Sequence, residues 1–246
     1  MSRVLLVSNS GRPFLAWCRP LIGEFLASEG GHTAGADAAR RVTTLAFVTA
    51  ANLGDERLYW GRARQALEPP PPEGLGLTVT HCDWRAEPRG TLERADALFV
   101  GGGNTYALLR RLSEAKLLDP IRERVRAGMP YVGSSAGSNV AGPNILTTND
   151  WNVVALSEFR ALGLVPFNVN PHYLETDPAM AAHSETRDDR IAEYHVVNDN
   201  AVVGIEEGTA VRAEDGVAVV QGNGRVKLFQ RGEPPRWFNA GEVLPV

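Results

Sequence analysis

Cysteine is scarce in this 246-residue chain: Cys18 and Cys82 are its only two, far apart and outside any C-x-x-C spacing. That excludes a disulfide framework and a zinc knuckle. Long hydrophobic runs are missing as well, since no stretch of eighteen or more apolar residues occurs, and a membrane-spanning helix is therefore not expected. The opening Met1-Ser2-Arg3-Val4-Leu5-Leu6-Val7 reads as a first strand that ends at Ser8-Asn9-Ser10-Gly11, not as a signal-peptide core. A cytoplasmic protein is the expectation. Positive charge is not in excess either: 25 Lys and Arg against 29 Asp and Glu leave a net charge of −4, no field to hold a phosphate backbone, so nucleic acid is not an expected partner. No His-Glu-x-x-His occurs, and no Gly-Lys-Ser/Thr follows a glycine-rich loop. A zinc hydrolase and a P-loop nucleotide site both lose their sequence support.

What the chain does have is a rhythm. Strand-like apolar runs at residues 4–8, 44–49, 77–81 and 95–100 alternate with helical spacing at 13–27, 56–68, 106–112 and 121–127. This is the β-α-β pattern of a mostly parallel sheet with helices on both faces, and at 43% hydrophobic residues the chain can bury the core of one large α/β domain spanning 1–246. Beyond Asp150 the runs shorten, at 162–165, 201–205, 216–221 and 225–230. They are expected to extend one edge of the sheet and to close in a hairpin turning at Gly222-Asn223-Gly224. Residues 30–37, rich in glycine and alanine, and the proline run at 69–72 read as surface connections.

The short strand at 130–132 runs into Gly133-Ser134-Ser135-Ala136-Gly137. This Gly-x-Ser-x-Gly frame after a β-branched run has the form of a nucleophile elbow, in which small neighbours let a serine occupy a sharp strand-to-helix turn. Ser135 would then stand at the positive end of the following helix, with the Ala136 amide free for a developing oxyanion. Gly101-Gly102-Gly103-Asn104, ending the preceding strand, can supply a second amide, from Gly103. The same small residues also suit a turn that merely packs tightly.

A serine hydroxyl needs a base and a group to orient it. Among five histidines, His172 in Asn170-Pro171-His172-Tyr173 follows a strand-like run, whereas His32, His81, His183 and His195 lie in a loop, at a strand end or beside a charged helix. Strand ends are where parallel sheets place their sites, although an imidazole can equally serve as a structural hydrogen-bonding group. Two carboxylates could orient it: Asp150, 15 residues after Ser135 in a polar loop, and Glu207, at the end of an apolar strand. Neither is preferred. Activity through a neutral imidazole should rise through mildly acidic pH and level off above it.

Gly101-Gly102-Gly103-Asn104-Thr105, Gly133 to Asn139, Thr147-Thr148-Asn149-Asp150, Asn170-Pro171-His172-Tyr173 and Glu185-Thr186-Arg187, in this order, resemble the peptidase E family of aspartyl dipeptidases. The resemblance implies a fold similar to class I glutamine amidotransferases, with serine replacing their nucleophilic cysteine, and hydrolysis of dipeptides with an N-terminal aspartate through an acyl-enzyme. It implies Ser135 as nucleophile, His172 as base, and both Asp150 and Glu207 as acids associated with the relay. It also implies a small-peptide substrate without metal or organic cofactor, in a monomer or homodimer. A carboxylate not engaged with histidine would suit the substrate ammonium, and Arg187 would grip the aspartate side chain with two parallel hydrogen bonds, with Asn104 beside it. Trp151-Asn152, residues 30–37 and the proline run depart from the family pattern. A cyanophycinase-like peptidase acting on β-aspartyl-arginine and a non-catalytic binding member of the fold are the alternatives.

Overall fold

The computed structural model describes residues 2–28, 42–177, 179 and 183–246. The glycine-alanine stretch at 30–37 and His32 lie outside them. Strands β1 (Arg3–Val7), β2 (Thr44–Val48), β3 (Thr78–Cys82), β4 (Ala97–Val100) and β5 (Tyr131–Ser134) are parallel, in the order β3-β2-β4-β5-β1. Their side chains alternate between two apolar clusters: Val4, Leu6, Ala46, Val48, Leu98 and Val100 enter one, Leu5, Val7, Leu45, Phe47, Ala97 and Phe99 the other. Burial on both faces explains why β1, β2 and β4 read as apolar runs, whereas the edge strand β3 leaves Thr78 and Thr80 exposed. Helices α1 (Arg19–Ala27) and α2 (Glu56–Leu67) cover one face with Ile22, Phe25, Ala63 and Leu67. On the other lie α3 (Pro88–Arg94), α4 (Thr105–Glu114) and α5 (Leu118–Arg126), through Leu92, Leu108, Leu112, Ile121 and Val125. The Gly-x-Ser-x-Gly segment continues from β5 into the short α6 (Ala136–Asn139).

The second half departs from the expected edge extension. Strands β6 (Asn168–Tyr173), β7 (Val202–Glu206), β10 (Val226–Phe229) and β11 (Arg236–Phe238) form a separate four-stranded sheet, ordered β11-β10-β7-β6. The helix α7 (Arg187–Val197) packs Ile191 and Tyr194 against its Tyr173, Val202 and Phe229. Strands β8 (Thr209–Glu214), β9 (Val217–Gly222) and β12 (Val243–Leu244) do join the first sheet, antiparallel, beside β1.

Gly222-Asn223-Gly224 is therefore not a hairpin turn within one sheet: it carries the chain from β9 in the first sheet to β10 in the second. The hairpin is β8–β9, turning at Asp215-Gly216 where both residues have positive φ. Glycine spacing alone does not distinguish a turn that reverses a strand from one that changes sheet. Leu162, Leu164 and Val165 are buried without forming a strand, since the Leu162, Gly163 and Leu164 amides bond to carbonyls of residues 140–142. The first helix starts at Arg19 and not at residue 13, because Leu15 takes a φ of 60° that a right-handed helix cannot include.

The two ends of the parallel sheet are pinned differently. At the start of β2 and β4, Asp96 Oδ2 accepts from the amides of Thr43 and Thr44 at 3.0 and 2.9 Å and from their hydroxyls at 2.9 and 2.8 Å. Burial works against the ionised carboxylate, but these donors outweigh it and bring its pKa from 3.8 down to about 2. A carboxylate depressed in the folded state stabilises above its unfolded pKa and ceases to do so as pH falls through the folded one. Asp96→Asn is expected to cost about 1 kcal/mol at neutral pH, after allowance for solvent screening. In urea titrations across pH the difference from the parent should shrink between about pH 4 and 2. An unchanged difference over that range would rule out this origin.

Candidate active site

Ser135 stands between β5 and α6 with φ 54° and ψ −111°, outside the regions a non-glycine residue normally occupies. Such strain costs on the order of 1–3 kcal/mol and persists only where the surroundings enforce it. Here they do so through close packing on both sides. A methyl group added to Gly133 would sit 2.5 Å from the Gly137 carbonyl oxygen, and one added to Gly137 would sit 2.0 Å from that of Val100. The Ser135 amide is held by the Val7 carbonyl at 3.0 Å, tying the turn to β1.

His172 comes from the other sheet. It is the irregular residue of β6, where the pairing with β7 slips between Pro171 and Tyr173, and its φ is 55°. A bulge re-aims a side chain, and here the His172 amide leaves the ladder to donate to Ser8 Oγ at 2.9 Å. Ser8 Oγ in turn donates to the Ile205 carbonyl at 2.9 Å, so one hydroxyl at the end of β1 fastens both β6 and β7. The redirected ring places Nε2 2.8 Å from Ser135 Oγ and Nδ1 2.7 Å from Glu207 Oε1. An ionised carboxylate only accepts, so Nδ1 carries the proton and Nε2 is left to accept from the serine hydroxyl. Glu207 lies at the crossing from β7 to β8, with its second oxygen taking a bond from Asn9 Nδ2. The turn at 222–224 abuts that crossing: a methyl on Gly222 would be 2.4 Å from the Gly208 carbonyl oxygen, and one on Gly224 3.1 Å from that of Glu207.

The glycine loop after β4 faces the serine, since a methyl on Gly102 would be 3.0 Å from Ser135 Cβ. Gly101 donates to Val48, Gly102 to Tyr59 Oη at 2.9 Å, and Asn104 to Ala51 at 2.8 Å. Among the described residues, the amides of Gly103 and Ala136 donate to no protein group. Two unengaged donors beside a hydroxyl hydrogen-bonded to imidazole are suited to a developing negative charge.

The model of peptidase family S51 matches residues 33–220, a span that takes in the serine turn, the β6 bulge and the crossing at Glu207. The chain belongs to peptidase family S51. It is 40% identical to peptidase E of Streptomyces coelicolor over 244 residues, 98% of this chain and 93% of that one. It is also 46% identical over 190 residues, 77% of each chain, to a Drosophila melanogaster protein named probable alpha-aspartyl dipeptidase. A crystal structure assigned to peptidase E from Listeria monocytogenes superposes with a TM-score of 0.67 at 26% identity, covering 91% of this chain and all of that one. The architecture is that of class I glutamine amidotransferases.

In this S51 peptidase Asp150 is not the carboxylate bonded to His172. Its Oδ2 accepts from the Thr105 amide at 2.7 Å, at the first turn of α4, and from Thr148 Oγ1 at 3.3 Å. Asn104 is the N-cap of the same helix: its Oδ1 accepts from the Ala107 amide and its Nδ2 donates to the Trp151 carbonyl. Together they fasten the 148–151 loop to the end of the glycine loop. Arg187, at the start of α7, has no carboxylate partner among the described residues. Its Nη1 reaches only Asn170 Oδ1, at 3.4 Å. Burial, and then the nearby Arg190, lower its pKa, the mark of a guanidinium that lacks a counter-charge. Asn170 precedes His172 by two residues and is itself held by Thr147 and Asn149.

The remaining described histidines are engaged elsewhere or exposed. His81 bonds Thr49 Oγ1 and stacks on Trp60, His195 bonds the Asn200 carbonyl, and His183 is exposed. Among the described residues no group of three or more His, Cys, Asp or Glu is disposed to hold a metal ion. Ser8, Asn9, Tyr59 and Asn170 contribute to the site without having been singled out. Ser8 and Asn9 carried a signal, since they end the first parallel strand, where such sheets assemble sites.

Gly137→Ala should test how tightly the turn is enforced. Neither the β4 carbonyl nor the start of α6 can yield without breaking pairing, so a loss of about 3 kcal/mol or more is expected in denaturant unfolding. Stability within 0.5 kcal/mol of the parent, on the usual scale of harmless surface changes, would show that the turn relaxes freely.

Proposed function

We propose that this protein is a serine dipeptidase that hydrolyses Asp-X dipeptides through an acyl-enzyme. The observation that carries the reading is the hydrogen-bonded series Ser135–His172–Glu207 beside two unengaged amides. Ser135 Oγ attacks the carbonyl carbon of the peptide bond while His172 Nε2 takes its proton, and Glu207 stabilises the imidazolium that forms. The Gly103 and Ala136 amides receive the oxyanion. Collapse of the tetrahedral species breaks the C–N bond, and the proton on Nε2 passes to the leaving amine. Water, deprotonated by the same nitrogen, then attacks the aspartyl ester and frees both aspartate and the serine.

Specificity in this reading rests on Arg187. A half-buried guanidinium without a counter-charge gains most from a ligand carboxylate, and an aspartate side chain supplies one. The name of the fly relative supports the same substrate class. Asn104 and Asp150 act by holding the rim of the site, and every group in the cycle comes from one chain, so a monomer or homodimer suffices. Because both sheets contribute, residues 1–246 are read as one catalytic domain. We place the enzyme in the cytoplasm: its two thiols are unpaired, and burial pushes both up to about 12, where they are inert. No helix among the described residues is long and apolar enough to cross a membrane. The cycle needs no metal, and a chelator is expected to leave the rate unchanged.

Ser135→Ala should abolish Asp-Leu hydrolysis and fluorophosphonate labelling while leaving the circular dichroism spectrum intact; residual turnover at the parental rate would exclude the mechanism. Glu207→Gln is expected to lower kcat by roughly 10²–10⁴-fold, since an amide misorients the ring. Asp150→Asn should cost far less, and the reverse ranking would exchange their roles. Arg187→Ala should raise KM for Asp-Leu on the order of a hundredfold, and comparison with β-Asp-Arg tests the linkage preference directly.

A further inference from the structure

Lys116 and Lys227 are the only lysines among the 25 basic residues of the chain, and Lys227 is buried, at 6% exposure, on β10. The catalytic cycle above makes no use of it. Its Nζ lies 2.8 Å from Asp188 Oδ2 and 3.2 Å from Glu175 Oε1, enclosed by the rings of Tyr173, Phe229 and Trp237 at 5.1–5.7 Å. A compact ammonium fits such a cage, where the ring faces add to the attraction of the carboxylates. The other oxygen of Asp188 accepts from the Tyr173 hydroxyl. Burial first, and then the Asp188 carboxylate, push that hydroxyl up, so it remains a donor. Room for the Tyr173 ring exists because β7 carries glycine opposite: a methyl on Gly204 would meet the ring at 2.7 Å.

The sequence positions of these partners give the knot its meaning. Tyr173 follows His172, and Asp188 follows Arg187. The Asp188 carboxylate thus ties the residue after the proposed specificity arginine to the residue after the proposed base, and Lys227 clamps it from a third element, strand β10. We propose that Lys227 is a positioning residue for substrate recognition, holding the first turn of α7 so that Arg187 keeps its place beside Asn170 of β6. The proposal rests on the assignment of Arg187 to the aspartate side chain. Lys227 touches neither substrate nor reacting atoms, so its removal should weaken recognition while the nucleophile stays reactive.

The test compares Lys227→Met, Arg187→Ala and the double variant, measuring kcat and KM for Asp-Leu and the rate at which a fluorophosphonate labels Ser135. Asp188 is 40% exposed and can be hydrated once its partner is gone, so Lys227→Met should fold. It is expected to raise KM on the order of tenfold with labelling within about twofold of the parent, and the double variant should be no worse than Arg187→Ala alone. A parental KM in Lys227→Met, or losses that multiply fully in the double variant, would overturn the proposal. Asp188→Asn, which keeps the shape and removes the charge, should reproduce the KM effect; a parental KM there overturns it too, whether or not Lys227→Met folds. A parental KM in Arg187→Ala would instead remove the arginine assignment and the proposal with it, whereas a raised KM there with none in Lys227→Met defeats the proposal alone.

Discussion

The contact between Ser135 Oγ and His172 Nε2 joins two sheets that share no strand pairing. A hydrogen bond of this kind contributes only about 1 kcal/mol net and cannot itself hold two layers in register. Its geometry is imposed from outside. The serine is set by glycines packed against carbonyls of β4 and α6, the histidine by a slip in β6, and the two are brought to a common level by Ser8, whose hydroxyl accepts from one strand of the second sheet and donates to another. Glu207 then falls into place because the chain must pass from β7 to β8 there, next to the second passage at 222–224.

Both central residues have φ near +55°, which side-chain-bearing residues seldom adopt. At His172 the unusual backbone takes the amide out of the β6–β7 ladder and turns the ring toward the other sheet, whereas the Ser135 amide still bonds the Val7 carbonyl of β1. The strain is sustained by burial around it, since the strands on either side of the serine are fully enclosed. Electrostatics follow the same division. Carboxylates that serve the fold, such as Asp96 and Asp188, are surrounded by donors, while Arg187 is left with a single amide oxygen. An incompletely satisfied cation hydrogen-bonded to the strand that carries His172 is costly to an empty site and useful to one that binds an anion.

Much of this could be read along the chain. The parallel strands were visible because burial on both faces leaves continuous apolar runs, and the serine turn because only small residues tolerate its backbone. The second sheet was not visible. Its strands have the same alternation as edge strands of the first, and a glycine-flanked turn looks alike whether the next strand pairs back or leaves for another layer. The site was divided in the same way: His172 stood out by its Pro-His context near a strand end, whereas Tyr59 and Lys227 had nothing local to mark them.

Local spacing determined the tight serine turn and the parallel layer beneath it and marked His172 as a candidate, since each depends on residues adjacent in the chain or on apolar runs along a strand. Tertiary structure decided which carboxylate meets the imidazole. Asp150 and Glu207 both offer a carboxylate, but one is captured by the first amide of α4 and the other lies where the chain crosses between sheets. That choice is one of distance in space, which pairing between remote strands sets and no nearby residue records.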